Sequence, residues 1–281
     1  EQDMVSMAGG IASMGLLPVV NTFSSFLASR ANEQIYNNAC EKTKIIYAGH
    51  YSGMIPAGPG KSHQSVRDIS LFGAIPNMII IQPANPEEAH LAARYCVKEA
   101  KENCMLRLNI GPSPRKIDLP DGYKFEMGKG VTIKSGENAI LFTYGAVMLH
   151  EALLASELAK SKGFGLEVVN MPWLNRINSE WFKNIIQKHN SVYVLDDHMR
   201  VGGLGDRLLD HLVDNQILGK KAFSRFSLEE YPACGTPLEV LSYHGLDGYS
   251  IALKILKNHK FDCTDIESKR QSVFNTLESA Q

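Results

Sequence analysis

The chain has 281 residues, 44% of them hydrophobic and 21% charged, with a formal net charge of −1. This is the composition of a soluble globular protein long enough for two ordinary domains, and a near-zero charge gives nucleic acid or an anionic membrane nothing to attract. No apolar run approaches the roughly 18–20 residues that span a bilayer, no signal-peptide pattern is present, and the five cysteines include no C-x-x-C pair. Neither a disulfide framework nor a zinc site is expected, and a reducing cytoplasm is the simplest setting.

In chain order, β-rich runs fall at 19–22, 44–48, 78–82, 105–109, 139–143, 166–170 and 191–195, and helix-like patterns at 86–101, 148–162 and 178–189. Apolar runs without alternation, separated by amphipathic helices, predict parallel sheets covered on both faces. Asn85-Pro86-Glu87-Glu88 is a helix start: a capping Asn, Pro at the first helical position and acids in the first turn. Between 111 and 137, Pro112, Pro114 and Pro120 with several Gly and Lys break the alternation. This stretch reads as an interdomain connection with a short hairpin, dividing the chain into domains 1–125 and 126–281. The expected fold is α/β, two domains each with a mainly parallel sheet flanked by helices. From Cys263 onward the sequence is polar and reads as a terminal helix or tail.

Ligands of open α/β sheets bind beyond the carboxyl ends of the strands. His50 falls at such an end, and His63 lies on the same long loop, which carries Gly53, Gly58, Pro59 and Gly60. Two imidazoles there could bind an anion or move protons near neutral pH; the alternative is a surface loop with two solvated histidines. Arg107, inside an apolar strand, either clamps a phosphate or carboxylate or makes a structural ion pair. Phe23 and Phe26 are either a core pair or a stacking surface for a ring. The stretch DDHMRVGGLGDRL at 196–208 has the shape of a phosphate-binding turn without G-x-G-x-x-G or the Walker lysine. Gly202, Gly203 and Gly205 then serve to close a tight strand–helix turn; the alternative is that His198 and these glycines approach the site.

The ordered series EQDMVSMAGG, VVNTFSSF, SRANEQIYNN, GKSHQSVRDISLFGAIPNM, LRLN and DDHMRVGGLG resembles the second half of the transketolase family of thiamine diphosphate enzymes. The match covers most of residues 1–255, as pyrimidine-binding and C-terminal domains, and looks nearest to the C-terminal subunits of two-chain transketolases. The resemblance implies that Glu1 is catalytic and binds the cofactor, hydrogen-bonding pyrimidine nitrogen N1′ so that the imino tautomer can deprotonate the thiazolium C2. It implies that Phe23 and Phe26 pack on the aminopyrimidine, and that His50 and His63 bind donor oxygens and move protons. Arg107 would receive a sugar phosphate.

Two departures from the family pattern matter. AGPGKSHQ puts Pro59 where the family carries an aspartate that reads a substrate hydroxyl, and adds Lys61, a substrate-binding candidate that favours a more anionic acceptor. The chain also lacks the GDG…Asn set that binds magnesium (or calcium) and the diphosphate, and starts at Glu1 without the preceding strand and helix. The resemblance therefore implies a diphosphate-binding partner domain, upstream or on another subunit, that carries the GDG motif and holds the metal. The expected assembly is a homodimer or heterotetramer. The implied activity is transfer of a two-carbon ketol unit from a ketose or ketose phosphate to an aldehyde or aldose, a transferase of carbohydrate metabolism. Alternatives are decarboxylative condensation of a 2-keto acid with an aldehyde, as in deoxyxylulose phosphate synthase, and a non-catalytic scaffold that kept the fold.

Overall fold

A computed structural model describes residues 1–278 except residue 112. The first part runs α1 (Gln2–Ser13), β1 (Val19–Phe23), α2 (Ser24–Arg30), α3 (Asn32–Cys40), β2 (Ile46–His50), α4 (Asp68–Gly73), β3 (Met78–Ile81), α5 (Pro86–Lys98) and β4 (Asn103–Leu108). Its sheet has the order β1-β2-β4-β3, with every pairing parallel. The second part runs β5 (Val131–Lys134), β6 (Ala139–Thr143), α6 (Ala146–Lys160), β7 (Leu166–Asn170), α7 (Ser179–Ile186), β8 (Ser191–Met199), α8 (Leu204–Asp214), β9 (Ala222–Leu228), α9 (Pro237–Tyr243), α10 (Gly248–Asn258) and α11 (Thr264–Glu278). Its sheet, β5-β7-β6-β8-β9, is parallel except for β5, which runs antiparallel to β7. Among the described residues no helix is long and apolar enough to cross a membrane.

The apolar runs behave as their composition requires. All residues of β3, β6 and β7 are buried: β6 and β7 lie inside their sheet, and β3, at the edge of its own, is covered by the segment that follows β7. The start of α5 also follows from local chemistry: the Asn85 side chain accepts from Glu88 N at 2.8 Å with Pro86 in the first turn. The expected hairpin between 111 and 137 is a correction. Its strand-forming residues, Val131–Lys134, instead add to the edge of the second sheet by pairing with β7. A lone two-stranded ribbon is marginal in water, whereas an edge position lets the same four residues share an existing core. β9, absent from the sequence reading, is the opposite edge; its outer half is only partly buried, so it lacks the continuous apolar run.

The two sheets are joined through the free edge of β3. Gln82 N donates to Pro172 O at 2.9 Å and Leu174 N donates to Ile80 O at 2.9 Å. Asn175 accepts from Ile80 N at 2.9 Å and donates to Met78 O at 2.7 Å. The segment after β7 thereby satisfies an edge that would otherwise template aggregation. Trp173 is fully buried there, with its ring centroid 4.5 Å from Phe125 and 4.9 Å from Tyr95. This seam fixes the carboxyl ends of β1 and β2 relative to the second sheet.

Candidate functional site

In β1 and β2 the register places Phe23 beside His50 at the carboxyl ends of both strands. Glu1 stands at the N-cap of α1, and its half-buried carboxylate accepts from Thr22 Oγ1 and from Arg30 Nη1, each at 3.2 Å. Burial works to raise the Glu1 pKa, but the Arg30 and Thr22 hydrogen bonds outweigh it and hold the carboxyl below its ordinary value. The Arg30 guanidinium lies 3.8 Å from the centre of the Phe26 ring, tying the carboxylate to the aromatic pair.

The rings form one cluster. Phe23 and Phe26 have centroids 5.4 Å apart, and His63 stands edge-on to them at 5.7 and 5.2 Å. Tyr51 completes it, 5.4 Å from Phe23 and 6.3 Å from His63. Phe23, Phe26 and His63 are only half-buried, so the cluster keeps accessible surface. His63 Nδ1 lies 3.0 Å from Ser62 Oγ. His50 is half-buried at the end of β2, beside the cluster through the backbone register. Lys61 is exposed on the rim, two residues before His63.

Arg107 is elsewhere, and this corrects the expectation that it faces substrate. It has no exposed surface and forms a bidentate pair with Asp68, Nε to Oδ2 at 2.8 Å and Nη2 to Oδ1 at 3.1 Å. Gln82 Oε1 and Ser65 O accept its remaining bonds. Burial opposes its charge, but Asp68 more than offsets this and keeps the guanidinium protonated. Of the two readings open in the sequence, the structure shows the ion pair: a strand-interior charge takes a carboxylate from the neighbouring helix because solvent is out of reach.

The glycine-rich bend after β8 is also structural. Leu204 N and Gly205 N, at the start of α8, donate to Asp196 at 3.0 and 2.7 Å, so the protein's own carboxylate fills the anion position. Gly202 has φ +78°, and a Cβ there would lie 2.4 Å from Ser70 Cβ. His198 is buried: Nδ1 donates to Met199 O at 2.8 Å, and Nε2 accepts from Ser70 N at 3.4 Å. Asp197, next to it, accepts from Met54 N at 2.7 Å across the two sheets, and so anchors the loop that carries His63.

Three comparisons bear on what this arrangement is. Residues 1–110 match the transketolase pyrimidine-binding domain and residues 128–251 the transketolase C-terminal domain. A protein of Methanocaldococcus jannaschii named as a transketolase C-terminal section is 31% identical over 262 residues, covering 92% of this chain and 81% of that protein. The chain belongs to the transketolase family. A solved split-gene transketolase, described as an inactive β4 tetramer, superposes with a TM-score of 0.81 at 25% identity, covering 92% of this chain and 81% of that one. The 1-deoxy-D-xylulose-5-phosphate synthase of Francisella philomiragia is 29% identical over 92% of this chain, which spans only 41% of that enzyme.

Within this family, whose enzymes use thiamine diphosphate, the cluster has a donor set suited to an aminopyrimidine. Each Glu1 oxygen accepts one bond and retains acceptor capacity for a ring nitrogen. Phe23 and Phe26 offer flat apolar surface beside it. Among the described residues no group of three or more His, Cys, Asp or Glu is placed to hold a metal ion. The sequence reading missed Thr22, Arg30 and Tyr51. Arg30 carried a signal, since it lies in the SRANEQI motif; Tyr51 carried only its position after a strand-end histidine.

Proposed function

We propose that this chain is one half of a thiamine diphosphate-dependent transferase that moves a two-carbon ketol unit from a ketose or ketose phosphate to an aldehyde or aldose. The observation that carries the reading is the meeting of the Glu1 carboxylate, the Phe23–Phe26 pair and the His63 ring at one set of strand ends. Thiamine diphosphate would supply a nucleophilic ring carbon and an electron sink that no side chain offers. The diphosphate and its Mg2+ or Ca2+ belong to a partner domain or subunit.

The chain's own residues have separable tasks. Glu1 holds a proton at the pyrimidine nitrogen N1′; its carboxylate is suited to this because Arg30 and Thr22 keep it ionised. Phe23 and Phe26 orient the ring by packing and exclude water from it. His50 and His63, at the carboxyl ends of the sheet, hydrogen-bond substrate oxygens and pass protons between them. Lys61 meets an anionic acceptor, in a loop where Pro59 provides no carboxylate to read a hydroxyl.

A second reading stays in the same chemistry: the similarity to deoxyxylulose phosphate synthases supports decarboxylation of a 2-keto acid with condensation onto an aldehyde. Native mass spectrometry of the protein isolated from its own cells, with thiamine diphosphate and Mg2+, tests the common part. A diphosphate-binding partner with bound cofactor supports the proposal, and a cofactor-free chain without partner moves the reading to a scaffold. Product analysis of that complex with a ketose phosphate or with pyruvate as donor separates the two enzymatic readings. Glu1→Gln in the active complex with unchanged turnover removes the role given to Glu1.

A further inference from the structure

The loop that carries His63 is held from both sheets. At its base Gly53 and Ser65 exchange two backbone hydrogen bonds, at 3.0 and 2.9 Å. From β8, Asp197 takes the Met54 N–H. A further hold comes from the segment that follows β9. The Lys61 ammonium stands 6.0 Å from the centre of the Tyr231 ring, and a Cβ added at Gly60 would lie 3.8 Å from Cys234 Sγ.

Gln64, next to His63 in the chain and buried, makes the central contact. Its Nε2 donates to Met54 O and to Ala233 O, each at 3.0 Å, while its Oε1 has no partner. Both acceptors are carbonyl oxygens, so the position asks for two N–H donors, and an amide supplies them without a charge. Ala233 is gripped on its other side as well: its N–H donates to His244 Nε2 at 3.0 Å. That nitrogen therefore carries no proton, and the proton sits on Nδ1, 4.0 Å from Glu230. Burial keeps the His244 pKa below its ordinary value, against the pull of Glu230. The Tyr243 ring lies 4.9 Å from the imidazole. Arg225 of β9, Glu229 just after it and Lys254 of α10 line the cavity that His244 shares, and Arg270 of α11 is held at Ser242.

We infer that Gln64 and His244 are positioning residues for His63, clamping Ala233 between them so that the outer loop of the second sheet sets the pose of the histidine against the Phe23–Phe26 pair. That this pose serves catalysis rests on the proposed function; the clamp itself does not. Protonation of His244 opens the clamp, because a second N–H then faces the Ala233 N–H and two donors make no bond. The opened form takes up a proton with the ordinary histidine value of 6.5. The clamp is therefore complete above about pH 6.5 and weakens as pH falls, by up to about tenfold per pH unit until the folded histidine itself takes up the proton.

Amide hydrogen exchange of the full chain at pH 7.5 and 5.5, expressed as protection against the intrinsic rate at each pH, reads the clamp. Asp197, with its pKa raised to about 6, works in the opposite direction over the same range, so the parent is compared with His244→Gln. That variant presents a carbonyl oxygen that does not titrate. Protection of Ala233 and of residues 53–65 should fall on acidification up to about tenfold further in the parent than in His244→Gln. Gln64→Met keeps the volume and removes both donors; it should lower protection of 53–65 about tenfold at both pH values while β2 and β4 keep theirs. In the complex with its diphosphate-binding partner, Gln64→Met should lower kcat at least about tenfold with a smaller change in KM. His244→Ala should also lower kcat, and His244→Gln should recover most of that loss at pH 7.5. The same pH dependence in parent and His244→Gln, or full protection of 53–65 in Gln64→Met, would overturn the clamp. Lost protection with undiminished kcat would overturn the positioning of His63. A complex without ketol transfer counts against the proposed function, and the exchange measurements then decide the clamp alone.

Discussion

Replacing Asp68 by Ala strands a guanidinium in the protein interior. Both partners of the pair have no exposed side-chain surface, and two of the Arg107 donors point at Asp68, at 2.8 and 3.1 Å. A hydrogen bond to a charged group contributes about 1.5–3 kcal/mol, so losing two costs about 3–6 kcal/mol. Removing one partner of a buried pair costs about 3–5 kcal/mol by direct measurement in other proteins. The expected loss for Asp68→Ala is therefore about 4 kcal/mol, or a fall in melting temperature of about 8–16 °C for a chain of this size. Urea titration followed by circular dichroism, with a thermal scan, reads it. The double variant Asp68→Leu with Arg107→Met should be less destabilised than Asp68→Ala alone, since both charges leave together. A loss below about 1 kcal/mol for Asp68→Ala would refute the reasoning. It would mean that Arg107 reaches water without its partner, and the substrate-facing role would return.

Burial raises the Asp197 pKa from 3.8 to about 6, against lowering by Arg107 and by the Met54 N–H. The folded state then holds a proton that the unfolded chain releases, so stability from this group is fully present below about pH 4 and is lost as pH rises through about 6. The difference between the pH–stability profiles of the parent and Asp197→Asn should amount to about 3 kcal/mol across that window; parallel profiles would contradict it. Gly53 has φ +88°, and a Cβ there would stand 1.7 Å from Asp197 Oδ2, so Gly53→Ala should cost about 2 kcal/mol or more. It should also speed amide exchange through residues 52–65, and unchanged exchange would argue that Asp197 does not anchor this loop. Glu1→Gln should leave stability within about 1 kcal/mol, because its pair with the largely exposed Arg30 is solvent-screened. The same variant should weaken thiamine diphosphate binding at least about tenfold; full affinity would show that the carboxylate does not meet the pyrimidine.

The seven expected strands all formed within a few residues of their expected limits, because buried parallel strands need continuous apolar sequence and helices between them. The edge strands β5 and β9 were illegible for the converse reason: half-exposed and partly polar, they are strands only because a sheet is there to receive them. In the site, Phe23, Phe26 and His63 were singled out by their places at strand ends, and the structure brings them into ring contact.

What the sequence determined by itself was local and periodic: the strand runs, the Asn85 cap and the ordered motifs that mark the family. It could not choose between the two fates of Arg107, because an ion pair with Asp68, thirty-nine positions earlier, exists only after β4 and α4 pack. Nor could it say that the glycines at 202–205 would wrap Asp196, or that Asp197 would hold the loop of the opposite sheet at Met54. Charges and hydrogen-bond donors are short-ranged inside a protein, and which of them meet is set by the docking of distant segments. Tertiary structure therefore decided which polar residues are spent on holding the molecule together and which remain open to a ligand.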